Sequence, residues 1–227
     1  MILCFILPIT FIFGNGESSD IKFEKVIDSL KTLRNKSPER AIRYAREILD
    51  DHGSNDLGHN ESRILNTVGE IYLELSLPAL ALSYFIDANE KSAVKGKKPW
   101  ISINIGNVYF QEEDWLSAKE KYFDALDAFR RRNVSHPNTL SGKTVALSNL
   151  GRIEMNLNNY DQALSYFKEA LDFKRNSARY QAFQKTKLDA KPAYAGVGAG
   201  VAHQHHLLSL LYTRWGLYEL ALEQCSA

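Results

Sequence analysis

Three stretches of this sequence align with one another without a gap, and the spacing they share constrains the fold more than any other feature. The first is Leu65-Asn66-Thr67-Val68-Gly69-Glu70-Ile71-Tyr72, followed by Ala81, Phe85 and Ala88. The second is Ser102-Ile103-Asn104-Ile105-Gly106-Asn107-Val108-Tyr109, followed by Ala118, Tyr122 and Ala125. The third is Leu147-Ser148-Asn149-Leu150-Gly151-Arg152-Ile153-Glu154, followed by Ala163, Phe167 and Ala170. The intervals from the glycine to the first alanine, to the aromatic and to the second alanine are the same in all three copies. Residues three or four apart share a helix face, so the set reads as a hairpin of two helices. The glycine marks a close crossing on the first helix, and the alanine packs into it from the second. The aromatic is expected to fill the space between one hairpin and the next.

These residues resemble the tetratricopeptide repeat, whose pattern places large residues, a glycine and a tyrosine on a first helix and Ala, Phe and Ala on a second. The resemblance implies an all-α, right-handed superhelical solenoid of antiparallel hairpins. Repeats are expected near 21–52, 61–96, 98–133, 141–177 and 202–227, the last cut short. In the two flanking copies Ser29 and Ser209 stand where the glycine is expected, with Val26, Leu30 and Leu33 upstream and Tyr212, Tyr218 and Ala221 downstream. Ser37-Pro38 reads as the N-cap and first residue of a second helix, and Pro78 takes the equivalent place in the next copy. The anchors at positions 29, 69, 106, 151 and 209 are unevenly spaced, and every interval exceeds the roughly 34 residues of the standard repeat. Glu154 replaces the tyrosine of the first helix. In this drift the chain resembles divergent arrays of bacterial sensory and regulatory proteins. The widest interval, Ser177 to Gly200 with Gly196 and Gly198, reads as a loop or a partly helical excursion.

Charge narrows the function classes. Lys and Arg number 28 against 27 Asp and Glu, a net of +1. A nucleic-acid binder needs a basic excess to displace counterions from phosphates, so none is expected here. Arg130-Arg131-Arg132 reads as the cationic end of a helix. At the N-terminus, Ile2 to Phe13 is an almost wholly apolar run followed by Gly14-Asn15-Gly16. That run is shorter than the about 20 residues a spanning helix takes, and it has the form of a signal peptide over residues 1–16. No Lys or Arg precedes it. Export to a periplasmic or extracellular space is expected, with a membrane-anchored or cytoplasmic chain as the alternatives. Contact with a membrane follows only if the leader is uncleaved.

No catalytic pattern is present: GxSxG, HExxH and Cys/His nucleophile spacings are all missing, and neither an enzyme nor a cofactor is expected. His203, His205 and His206 form an HQHH run. Two of them are only two residues apart and so do not share a helix face, so an exposed helix entry is favoured over a metal site. The Gly196/Gly198/Gly200 run lacks a preceding strand and reads as a flexible loop rather than a phosphate cradle. Asp87, Asp114, Asp124 and Asp127 read as caps or solvated faces.

What the resemblance does imply is a groove lined by the first helices, which grips a protein or peptide. The positions two before and one after each glycine supply Thr67, Glu70, Asn104, Asn107, Asn149 and Arg152, and Gln111 lies one turn further on. An Asn amide both donates to and accepts from a peptide backbone, and Arg152 can hold a carboxylate through two parallel bonds. Two functions are left open: a scaffold that binds a protein or peptide, or the sensory N-terminal part of a larger bacterial signalling protein.

Overall fold

The computed structural model describes residues 19–51, 57, 59–92, 98–132, 137–176 and 195–226. The 1–16 leader and most of the 178–201 interval lie outside them. All regular structure among the described residues is helical, and it forms the helical-repeat solenoid that the self-alignment predicts. The chain divides into two compact units, Met1–Lys95 and Gly96–Ala227, each described by itself.

The first unit contains α1 (Ser19–Lys36), α2 (Pro38–Asp51), α3 (His59–Glu74) and α4 (Pro78–Glu90). α1 pairs with α2 and α3 with α4, while α3 lies against both α1 and α2. The core is formed by Val26, Leu30, Ala41, Ala45, Ile64, Val68 and Phe85, all buried. The second unit contains α5 (Pro99–Gln111), α6 (Trp115–Arg130), α7 (Pro137–Asn156), α8 (Tyr160–Arg175), α9 (Ala195–Trp215) and α10 (Tyr218–Cys225). Here α5–α6, α7–α8 and α9–α10 are hairpins, α6 packs on α7 and α8 on α9, and the first helices α5, α7 and α9 adjoin in that order. Prolines 38, 78, 99 and 137 each open a helix, where the missing N–H costs nothing and the fixed φ suits the first turn.

One expectation about packing is sharpened. The aromatic of each copy rests on its own glycine, while Tyr122 and Phe167 also share core clusters with Leu150 and Leu211 of the hairpin that follows. A Cβ added at Gly69 would fall 2.5 Å from the Phe85 ring, at Gly106 2.7 Å from Tyr122, and at Gly151 2.5 Å from Phe167. The glycine is therefore the seat of the ring. The flanking copies obey the same size rule in reverse. Where serine replaces the glycine, the residue in the ring's place is small: Ala45 for Ser29, and Cys225 for Ser209. The Ser209 hydroxyl and the Cys225 sulfur are 3.2 Å apart.

Between hairpins a second glycine seats a further side chain. Gly142, upstream of Gly151 on the same helix, receives the Phe129 ring of α6, which occupies the space an added Cβ would need. Gly200, placed in the same way before Ser209, meets the aliphatic stem of Lys174 of α8 at 3.4 Å. Both sit on a lengthened first helix. α5 opens at Pro99, shortly before its anchor Gly106, whereas α7 opens at Pro137 and α9 at Ala195, twice as far ahead of theirs. That lengthening accounts for much of the wide anchor spacing.

The hairpin turns are built alike. Ser76, Glu113, Asn158 and Gly216 stand at the same place after their anchors, and each has a left-handed backbone, with φ of 57°, 59°, 60° and 83°. The next amide reaches back to close the helix: Leu77 to Tyr72 at 2.9 Å, Asp114 to Tyr109 at 2.9 Å, Asn159 to Glu154 at 2.8 Å and Leu217 to Tyr212 at 2.8 Å. This is the six-to-one bond that satisfies a helix's last carbonyls.

Two further expectations are overturned. Gly196, Gly198 and Gly200 lie in the opening turns of α9 and not in a loop. The HQHH run lies inside α9 and not at an exposed entry: His203 and His206 are exposed, but Gln204 and His205 are buried. The Ser148 hydroxyl donates to Gln204 at 3.0 Å. His205 has Arg175 2.9 Å from Nε2 and the Gln224 carbonyl 3.0 Å from Nδ1. A guanidinium only donates, so Nε2 accepts and Nδ1 carries the proton.

Candidate functional site

The two units use their first helices differently. In the first unit, α1 and α3 are fastened by ion pairs. The Arg34 guanidinium donates to Glu74 at 2.8 and 2.5 Å and also to Glu70, while Arg63 donates to Glu24 at 2.5 and 2.9 Å. Glu70 accepts a further bond from Asn66 at 2.9 Å. The Thr67 side chain is buried, and its hydroxyl donates to the Arg63 carbonyl at 3.0 Å. Both candidates from this unit are thus placed in bonds within and between its own helices. Hydrogen bonding to Arg34 comes first among the causes that hold the Glu74 carboxyl below its ordinary range, with the guanidinium charge adding to it and burial opposing.

In the second unit the remaining five candidates fall on α5 and α7. Asn107 and Asn149 are brought together: Asn107 Oδ1 accepts from Asn149 Nδ2 at 3.0 Å and from the Tyr122 hydroxyl at 2.8 Å. Asn149 is 8% exposed, so this pair joins adjacent first helices and anchors the ring seated on Gly106. Burial pushes the Tyr122 phenol well above its usual value, with Arg152 and Asn149 opposing. Asn104 is half-buried and Gln111 is exposed at the end of α5. Arg152 is exposed, with its guanidinium 4.4 Å from the centre of the Phe110 ring. A stacked guanidinium keeps its N–H edge available for a second partner.

Three residues join this face that the sequence reading did not assign to it. His203 and His206 lie one turn apart on α9, and Arg214 donates to Asn156 of α7 at 2.9 Å. The column logic finds Arg214, which stands at the same place after its anchor as Gln111 and Asn156 do after theirs, but not the two histidines, which precede the anchor. His203 titrates below its ordinary value, first because of partial burial and then because His206, Arg152 and Lys174 repel a proton there.

Acidic groups are segregated. The helices α5, α7 and α9 carry a single carboxylate, Glu154. It is 3% exposed and is engaged by Lys119 at 2.6 Å and by Asn159 at 2.9 Å. A buried carboxylate is tolerable only with such partners, which explains how Glu154 can occupy the tyrosine position. The unit's other described acids lie on α6, α8 and α10 or, as Glu112, Glu113 and Asp114, in the turn after α5. Asp114 caps α6, accepting from the Ser117 amide at 3.1 Å. Among the described residues no group of three His, Cys, Asp or Glu could hold a metal.

Comparison with known proteins bears on the fold. Residues 145–177, which hold Asn149, Gly151 and Arg152, match the family model of the tetratricopeptide repeat. No curated protein matches the chain. Among solved structures, a putative kinesin light chain from Podosopora anserina with nearly identical TPR-like repeats superposes with a TM-score of 0.63 at 10% identity, covering 93% of this chain and 94% of that one. A Pseudomonas aeruginosa pilF structure gives 0.54 at 15% identity, over 92% and 90% of the two chains. MamA gives 0.53 at 15% identity, over 87% and 90%. At these identities the likeness is one of fold.

Proposed function

We propose that this chain, whose residues 145–177 match the tetratricopeptide-repeat model and whose fold is that of solved repeat structures, is a non-catalytic scaffold that holds a protein or peptide on the first-helix face of its second unit. The observation that carries this reading is the contrast between the two units. In the first, Arg34, Arg63, Glu24, Glu70 and Glu74 of the first helices are drawn into α1–α3 ion pairs. In the second, Arg152, Gln111 and the two exposed histidines stand on one face with no carboxylate partner among the described residues. Small residues at the helix crossings hold the hairpins at fixed spacing, so that side chains on adjacent first helices present a preformed surface. A partner binding to a preformed surface forfeits little ordering free energy.

Polar contacts to an extended backbone come from Asn104, Gln111 and Arg152, while Asn107 and Asn149 hold α5 to α7 and support them. The test is capture of the native partner by the full chain and by the double variant Gln111→Ala/Arg152→Ala. Both residues are exposed, so the thermal melt is expected to stay within about 2 °C of the parent, and capture is expected to fall about tenfold or more. Undiminished capture by the double variant removes this face from the function.

A further inference from the structure

Building on that reading, we propose that the ligand of this face is an acidic peptide segment, received by Arg152, His203 and His206. Charge complementarity is the basis. Three adjoining helices, α5, α7 and α9, present Arg152, His203, His206 and Arg214, and their one carboxylate is buried against Lys119. An amine-bearing ligand on this face would be repelled by every described ionisable group near its middle. An anionic one would meet the planar N–H edge of Arg152, already held in place over Phe110, and a guanidinium binds a carboxylate through two parallel bonds. The neutral amides alongside, Asn104 and Gln111, suit the backbone of a peptide more than they suit a small anion.

The groups facing His203 come from three elements: His206 from α9, Arg152 from α7 and Lys174 from α8. Arg152 and Lys174 are cationic, and among the described residues no carboxylate acts on it. An acid bound here relieves that repulsion and draws a proton onto the imidazole, so binding tightens as pH falls through the histidine range. The acids of the turn after α5, Glu112 and Glu113, stand at the far end of the face, so the acidic residues of the ligand belong over α7 and α9 and not over the end of α5.

Fluorescence anisotropy of the full chain with three labelled decapeptides tests this. One is rich in Asp and Glu, one is its Asn and Gln isostere, and one is rich in Lys. The acidic peptide is expected to bind about tenfold or more tighter than the isostere, weakening with salt as a charge contact should. Arg152→Ala is expected to lose about tenfold and Arg152→Glu more, while Arg130→Ala, at the end of α6, changes nothing. His203→Ala/His206→Ala is expected to flatten the pH dependence between about pH 8 and pH 6 and leave the affinity at pH 8 in place. Equal binding of acidic peptide and isostere, or an unchanged affinity in Arg152→Glu, overturns the acidic ligand while the scaffold reading stands if either peptide still cross-links to α7. Binding of anionic phosphatidylserine vesicles or of a single-stranded oligonucleotide without binding of the acidic peptide overturns it in favour of those surfaces. Loss of partner capture in Gln111→Ala/Arg152→Ala remains the separate test of the scaffold reading.

Discussion

At the residue scale, the informative object is a pair: a glycine on the first helix and the aromatic of the second that rests on it. Phe85, Tyr122 and Phe167 are almost fully buried, and burying such a ring contributes about 1.5–3 kcal/mol. Each ring can lie between its two helices only because the residue beneath it has no Cβ. Gly106→Ala is therefore expected to cost about 1–3 kcal/mol through overpacking, measured by urea denaturation. Combined with Tyr122→Leu, the two substitutions should cost less than the sum of their separate effects, because the smaller side chain vacates the space the methyl needs. Strict additivity would mean that glycine and ring do not share that space. The pair was legible in sequence because it is a fixed interval found in three copies. Its geometry was not, because an interval says that two residues meet without saying which of several neighbours fills the gap. The Gly142 and Gly200 seats recur at one distance before their anchors and could have been found by carrying the same self-alignment upstream.

At the element scale, the helices are short units stopped by a common device, a left-handed residue and a six-to-one bond. Glycine is the natural occupant of such a position, yet only Gly216 has it; Ser76, Glu113 and Asn158 accept the strain because the turn around them is over-determined. Reading Gly196, Gly198 and Gly200 as a loop followed from the same propensity logic. Intrinsic preference loses there because Gly200 is seated on α8 and the helix carries on into the buried Val201, Leu207, Leu208 and Leu211. The α1–α3 ion pairs have a pH signature. Arg34 lowers the folded pKa of Glu74 below its ordinary value of 4.5. The pair's stabilisation is thus fully present above that value and is lost as pH falls through the folded one. Half of the Glu74 side chain is solvent-exposed, so the effect is small. In thermal melts, the gap between the parent and Glu74→Gln is expected at neutral pH and should close as pH falls below the carboxylate range. A gap that persists in acid would assign the difference to packing rather than charge.

At the scale of the whole molecule, the fold was legible from the self-alignment, since repeated hairpins that bury one another's faces specify a solenoid almost by periodicity alone. The candidate face was only half legible. Column positions identify which residues point away from the hairpin partner, but not which of them are spent on neighbours. Glu70 goes to Arg34, Asn149 to Asn107, and Arg152 to the ring of Phe110 with its polar edge still outward. The segregation of acids onto second helices is likewise written in the sequence, but it acquires meaning only once the helix boundaries show which acids fall in which row. On the proposed reading, function belongs to the second unit's first helices, with that unit's second helices holding them at their spacing.

The most direct check is hydrogen–deuterium exchange of the full chain, alone and with its captured partner. The expected result is slowed exchange in α5, α7 and α9, centred on the turn of α7 around Arg152, with α6, α8 and α10 unchanged. Protection confined to α6, α8 and α10, or to the first unit alone, would contradict a docking face on these first helices.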